Sequence, residues 1–290
     1  MGWFAERAGL DGTVALITGG AGGLGEAIAL DLAANGVRLA VLDLDGAAAG
    51  ALRQRLDGHD ALVQEGDARD PDTLGALFAG VDARWGRLDT LVNLVGGTFR
   101  AAFTDTTPKG WDALLRTNLL HVLHACSLAV PRMRAGGRGG SIVNVTTIEA
   151  HRAAPGFAVY SAAKAAVEQF ARSLAVELAP DGIRVNNIAP DYTPTPNMAR
   201  FAGNGHEAGA GVGVTIPMGR AGRVTDVSGC AVFLASGLSA YVTGTTLHPD
   251  GGTFASSGWL NWPGSGWSTQ PPPSLLTGEP GGDGREGGEL

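Results

Sequence analysis

The chain has 290 residues, 44% of them hydrophobic and 17% charged, with a formal net charge of −7. That length suits one large α/β domain or two small ones, and the composition is enough to bury a core. The acidic balance and the lack of a basic run argue against nucleic acid or an anionic membrane as a partner.

Cys126 and Cys230 stand far apart in apolar contexts without metal-ligand spacing. They read as small buried hydrophobes of a reducing compartment, and no metal site is expected. The opening MGWFAERAGLDG carries charges and no signal-like apolar stretch. No apolar run approaches the roughly 20 residues of a membrane span. A cytoplasmic protein without a membrane span is the expectation.

From Thr13 to about Leu178, short apolar runs alternate with stretches of helical period. VALIT (14–18) precedes a helical pattern from Leu24 to Asn35, and RLAVLD (38–43) one from Ala47 to Leu56. ALVQEGD (61–67) precedes one from Leu74 to Trp85, and TLVNLV (90–95) one from Trp111 to Met133. SIVNV (141–145), a helix from Tyr160 to Ala179 and RVNNIA (184–189) continue the rhythm. A helix near Thr225–Ala235 and a strand near Thr245–His248 complete it. Short buried strands separated by such helices imply a single doubly wound Rossmann-type α/β domain. A parallel sheet of about seven strands with helices on both faces is expected over residues 1–252.

Two stretches break the pattern. NGHEAGAGVGV (204–214) is glycine-rich and sits where a lid over a cleft is expected. A C-terminal extension over 253–277 holds Trp259, Trp262, Trp267 and PPP (271–273), placed to cover a cleft or to pack on a partner subunit. The tail from 278 to 290 has little apolar content and is expected to be disordered.

TGGAGGLG (18–25) follows the first strand and opens the first of these helices. Gly19, Gly23 and Gly25 permit a tight turn, close approach to a pyrophosphate and close helix–strand packing. The helix N-terminus then offers amide donors and partial positive charge. A ligand-free tight turn is the bland alternative, and the strand–turn–helix context weighs against it. Asp43 ends the second strand, 18 residues after Gly25. A carboxylate there binds both ribose hydroxyls and repels a 2′-phosphate, which favours NAD over NADP. The alternative is that Asp43 merely begins a turn with Asp45 and Gly46.

Tyr160 and Lys164 stand four apart on one helix face. A tyrosine near its reference pKa of about 10 is a poor base, and making it competent near pH 7 needs about 4 kcal/mol of preferential phenolate stabilisation. A neighbouring ammonium and an oxidised nicotinamide are expected to supply it. Taken alone, the pair reads as an amphipathic helix with a snorkelling lysine.

In order and spacing, these motifs resemble the short-chain dehydrogenases/reductases over about residues 10 to 252. The match comprises TGGAGGLG, Asp67-Ala68, NLVG (93–96), Asn118, Thr147, YSAAK (160–164), PDYTPT (190–195) and DGG (250–252). The resemblance implies that Tyr160 takes or gives the substrate's hydroxyl proton and that Lys164 also holds the nicotinamide ribose. Asn118 would hold a water linking Lys164 to solvent. Thr147 takes the place of the family's serine, thirteen residues before the tyrosine, and its hydroxyl would bond the substrate oxygen; Thr146 would be structural.

Cofactor contacts are implied for Gly19, Gly23, Leu24, Gly25, Asp43, Asp67, Ala68, Asn93, Gly96, Tyr160, Lys164, Pro190, Thr193 and Thr195. Leu94 and Val95 depart from the family's second Asn and its Ala. Asp191 replaces a glycine and puts an acidic group near the nicotinamide side of the cleft. A homotetramer or homodimer, paired through the helices at 111–133 and 160–179, is implied by resemblance alone.

Hydride would pass between the substrate carbon and the nicotinamide, interconverting a secondary alcohol and a ketone. Thr147, Phe157, Tyr160 and Met198 are expected to meet the substrate. His151 either touches a polar substrate group or is an ordinary surface-loop histidine. A bulky apolar substrate, a steroid or steroid-degradation intermediate, suits these residues. The alternatives are a 3-oxoacyl-thioester reductase or 3-hydroxyacyl dehydrogenase, and a non-catalytic NAD-binding sensor.

Overall fold

The computed structural model describes residues 2–196 and 211–277. Its central sheet contains β1 (Val14–Thr18), β2 (Arg38–Asp43), β3 (Ala61–Glu65), β4 (Thr90–Asn93), β5 (Gly140–Val145), β6 (Ile183–Ile188) and β7 (Thr246–Leu247). All pairs are parallel, in the order β3-β2-β1-β4-β5-β6-β7. The winding reverses between β1 and β4, which opens a crevice at the carboxyl ends of these strands.

Helices α2 (Gly23–Ala34), α3 (Gly46–Arg55) and α9 (Val224–Ala235) cover one face. The other carries α4 (Pro71–Trp85), α5 (Pro108–Leu115), α6 (His121–Gly136) and α7 (Ala158–Leu178). Alternation along the strands feeds both layers: Leu16 and Leu91 enter the second core, while Ile17 and Val92 enter the first. With both sides covered, β1 is buried throughout, hence its unbroken apolar run.

The long helix expected from 111 to 133 is interrupted. Between α5 and α6, residues Arg116–Leu120 form a π turn. There the Asn118 Nδ2 donates to Leu114 O at 3.0 Å, occupying a carbonyl one turn back, and to Gly97 O at 2.7 Å. Within the continuous stretch Pro108–Gly136, an 18-residue window reaches a mean hydropathy of 1.3. Against the expectation, it is long and apolar enough to cross a membrane by length and composition. Its apolar side, with Val122, Ala125, Ala129 and Met133, belongs instead to the core against the sheet.

A short α1 (Trp3–Ala8) precedes the sheet and had no clear signal in its composition. Only the end of the expected lid is described, as α8 (Val212–Thr215). After β7 the Asp250 carboxylate accepts from Gly252 N and Phe254 N, both at 2.8 Å, and starts α10 (Thr253–Ser256). The extension then forms an antiparallel hairpin, β8 (Leu260–Trp262) and β9 (Gly266–Ser268), and α11 (Pro273–Thr277). Strand β8 lies against α8 of the same chain. The expected disordered tail lies outside the described residues.

Candidate active site

The glycine loop is shaped by contacts that leave no room for side chains. A Cβ on Gly25 would sit 2.1 Å from Gly19 O, so α2 closes on the loop only with glycine there. Gly23 has φ +53°, and a Cβ there would meet Thr195 at 3.1 Å, which brings the loop after β6 over the start of α2. Leu24 is half-buried against the core.

No side chain caps α2, and nothing lies within 4 Å of a Cβ built on Gly22, so the helix's positive end is open on the Gly22 side. Asp43 Oδ2 accepts from Ala21 N at 2.8 Å and Oδ1 from Asp45 N at 3.0 Å. The two expectations for Asp43 therefore coexist: it begins the turn into α3 and stands at the edge of the loop. An open helix N-terminus beside a carboxylate fits the pyrophosphate and adenosine ribose of a nicotinamide dinucleotide.

At the other side of the crevice, α7 addresses the exit of β5. The Lys164 Nζ donates to Val145 O at 3.0 Å. The Thr147 hydroxyl lies close enough to the Tyr160 phenol to favour its ionised form. Thr147 also caps the 3₁₀ turn Ile148–Ala150, its Oγ1 accepting from Glu149 N at 3.3 Å.

Burial lowers the Lys164 pKa to about 8, which leaves it mainly an ammonium at neutral pH. Burial also raises the Tyr160 phenol; the Thr147 hydrogen bond opposes this and the Glu149 charge adds to it. In the protein alone burial outweighs Thr147; the expected acidification also calls on the positive charge of a bound oxidised nicotinamide.

The remaining predicted residues divide. A Cβ on Gly96 would lie 3.2 Å from both Asn118 Oδ1 and Lys164 Nζ, so Gly96, Asn118 and Lys164 meet at one point. Asn118 is fully buried, and its amide is held by Gly97 and Leu114. Pro190 O accepts from Ile148 N at 3.1 Å, and Thr193 Oγ1 donates to Asp191 O at 3.2 Å. Phe157 and Tyr160 join Phe99, Ala101, Phe103 and Leu114 around an apolar recess.

Asp67 is gripped by Arg69, whose hydrogen bond leads the causes holding its carboxyl below the usual range, and Ala68 is buried in the core. Met198 lies outside the described residues.

Three of these residues find partners within the protein. The Asn93 side chain turns into the sheet, donating to Asn144 Oδ1 at 2.9 Å, and Asn144 continues to Asn187 Oδ1 at 3.1 Å. These residues are register partners across β4, β5 and β6, so the side chain belongs to a buried polar ladder. Asp191 is neutralised by Arg152 at 3.1 Å, which also holds Glu149 at 2.8 Å. His151 is half-buried, and its Nε2 lies 2.9 Å from Glu168 Oε1.

Sequence reasoning passed over Glu168. A charged residue one turn after Lys164 on the buried face of a helix was the available signal.

Comparison with known proteins agrees with this geometry. A family model described as Enoyl-(Acyl carrier protein) reductase matches residues 19–253. The chain is 34% identical to a sorbitol dehydrogenase of Cereibacter sphaeroides, over 85% of this chain and 99% of that one. It is also 34% identical to the 3-oxoacyl-acyl-carrier-protein reductase FabG of Thermotoga maritima, over 84% and 98%. The crystal structure of levodione reductase superposes with a TM-score of 0.79 at 29% identity, covering 85% of this chain and 99% of that one. With relatives that are dehydrogenases and reductases, the alternative of a non-catalytic sensor falls away. The chain belongs to the short-chain dehydrogenase/reductase family and is an oxidoreductase acting on CH–OH groups.

Proposed function

We propose that this chain uses NAD to interconvert a secondary alcohol and a ketone on a bulky, mostly apolar substrate of steroid-like character. The observation that carries the reading is the convergence of Thr147, Tyr160 and Lys164 at the end of β5. A substrate oxygen between Thr147 and Tyr160 meets one hydroxyl that orients it and one phenol that takes or returns its proton. The dinucleotide, when bound, supplies the hydride-exchanging carbon and, oxidised, a positive charge that favours the phenolate.

The Lys164 ammonium, seated between Gly96 and Val145 O, would hold the nicotinamide ribose. Asp43 at the loop edge supports NAD, since a carboxylate repels a 2′-phosphate. The apolar side chains of Phe99, Phe103, Leu114 and Phe157 beside Tyr160 support an apolar substrate. Pairing of subunits through α5–α6 and α7 belongs to the same proposal. It is supported by exposed Leu115 and Val176, and sedimentation would read a dimer or tetramer against a monomer.

The test is NADH formation from a panel of apolar secondary alcohols, polyols and 3-hydroxyacyl thioesters. Tyr160→Phe should lose about 10²–10⁴-fold in kcat while still binding NAD. Asp43→Ala should weaken NAD far more than NADP. Turnover of polyols alone would sink the apolar assignment, and an unchanged cofactor preference would sink the role of Asp43.

A further inference from the structure

Helix α7 meets the exit of β5 through three side chains spaced four residues apart, which places them on one face. Tyr160 faces Thr147, and Lys164 donates to Val145 O. Glu168 continues the series: its Oε1 accepts from Thr146 Oγ1 at 2.8 Å and lies 2.9 Å from His151 Nε2. Thr146 and His151 flank the segment that carries Thr147 and its 3₁₀ turn, so a single carboxylate oxygen holds both ends of that segment.

The Glu168 side chain is 3% exposed, and burying a carboxylate is costly unless it is paired and hydrogen-bonded. Its partners are these two donors and Arg172, 3.7 Å from Oε2 and one helical turn on. His151 is held from its other sides by His248, at 4.6 Å between ring centroids, and by Phe254, at 5.2 Å. His248 itself stacks on Phe254 at 4.5 Å. These contacts brace the ring beside Glu168.

We propose that Glu168 is a positioning residue that staples Thr146 to His151 and thereby fixes the Thr147 hydroxyl against Tyr160. The effect on turnover rests on the dehydrogenase reading above; the staple itself does not. Because Glu168 acts through Thr147, its removal should matter only while Thr147 is present.

The experiment is a double-mutant cycle of Glu168→Leu with Thr147→Ala, read in two ways. The first is kcat with the best alcohol. Glu168→Leu should lower it by about tenfold to a hundredfold, as for a displaced catalytic group. Glu168→Gln, which keeps an acceptor in place of Oε1, should restore most of it. In the Thr147→Ala background Glu168→Leu should cost nothing further.

The second is Tyr160 ionisation, followed by ultraviolet absorbance as the difference from Tyr160→Phe without dinucleotide. The Thr147 hydrogen bond favours the phenolate, so Glu168→Leu and Thr147→Ala should each move the transition to higher pH, and the pair together no further. Additive effects in either readout, or an unmoved transition in Glu168→Leu, overturn the staple.

Should Glu168→Leu not fold, His151→Ala releases one end of the segment and must show the same non-additivity. Coupled tyrosine titration without turnover of any alcohol or ketone would remove the dehydrogenase reading and leave the staple standing. Turnover with additive losses would do the reverse.

Discussion

Thr147 supplies one hydroxyl to a turn, a phenol and a substrate oxygen. Its extra methyl, compared with the family's serine, stiffens χ1 and takes space in the pocket. Thr147→Ser should retain or raise turnover. Thr147→Val keeps the shape without the donor and should lose about a hundredfold in kcat. Equal rates for Thr147→Val and wild type would take the threonine out of the mechanism.

The two threonines of VTTIEAH thus separate by what faces them. Thr146 looks across to Glu168 and Ile188 O, Thr147 to Tyr160. Their shared β-branched chemistry could suggest strand for both, and the partner of Thr146 comes from 22 residues away on another element.

At the scale of elements, α2 shows why the loop spacing was readable. Gly25 packs directly on the Gly19 carbonyl, a contact that depends on residues six apart and on a local strand–turn–helix path. Gly25→Ala should push α2 off the loop. We expect it to cost about 1–3 kcal/mol by overpacking and to abolish NADH binding, measured by thermal melting and fluorescence titration. Unchanged affinity would mean that the loop tolerates the displacement.

The π turn at Arg116–Leu120 is the opposite case. Its helical period predicts one uninterrupted helix, and only the Asn118 bonds to Gly97 and Leu114 reveal why the turn widens there. The C-terminal hairpin was equally hidden: its three tryptophans suggested a cover for a cleft or a partner contact, and its packing on α8 needs both pieces in place.

For the molecule as a whole, a buried histidine ties stability to pH. His121 stands just beyond the π turn and is 1% exposed. Burial, followed by the Lys164 charge, lowers its pKa to about 3 from 6.5. Above pH 6.5 the ring is neutral in both folded and unfolded chains and contributes no pH dependence. Between 6.5 and 3 the unfolded chain binds a proton that the folded one does not, so stability falls as pH falls.

At pH 5 the loss should be about 2 kcal/mol relative to pH 7.5. His121→Leu should lack that part of the decline. Urea midpoints for the two proteins across this range check it, and parallel curves would exclude His121 as the source.

The sequence by itself determined the alternation of strands and helices, the parallel sheet, the phosphate loop and the shared face of Tyr160 and Lys164. Each is written in local period or spacing, which a chain carries without reference to distant parts. The tertiary structure alone decided that Asn93 belongs to the sheet's polar ladder, that Asp191 is matched by Arg152, and that Glu168 reaches both sides of Thr147. Those outcomes depend on strand register and on how α7 seats against β5. For a buried polar side chain, the available partner is set by that packing and not by its neighbours along the chain.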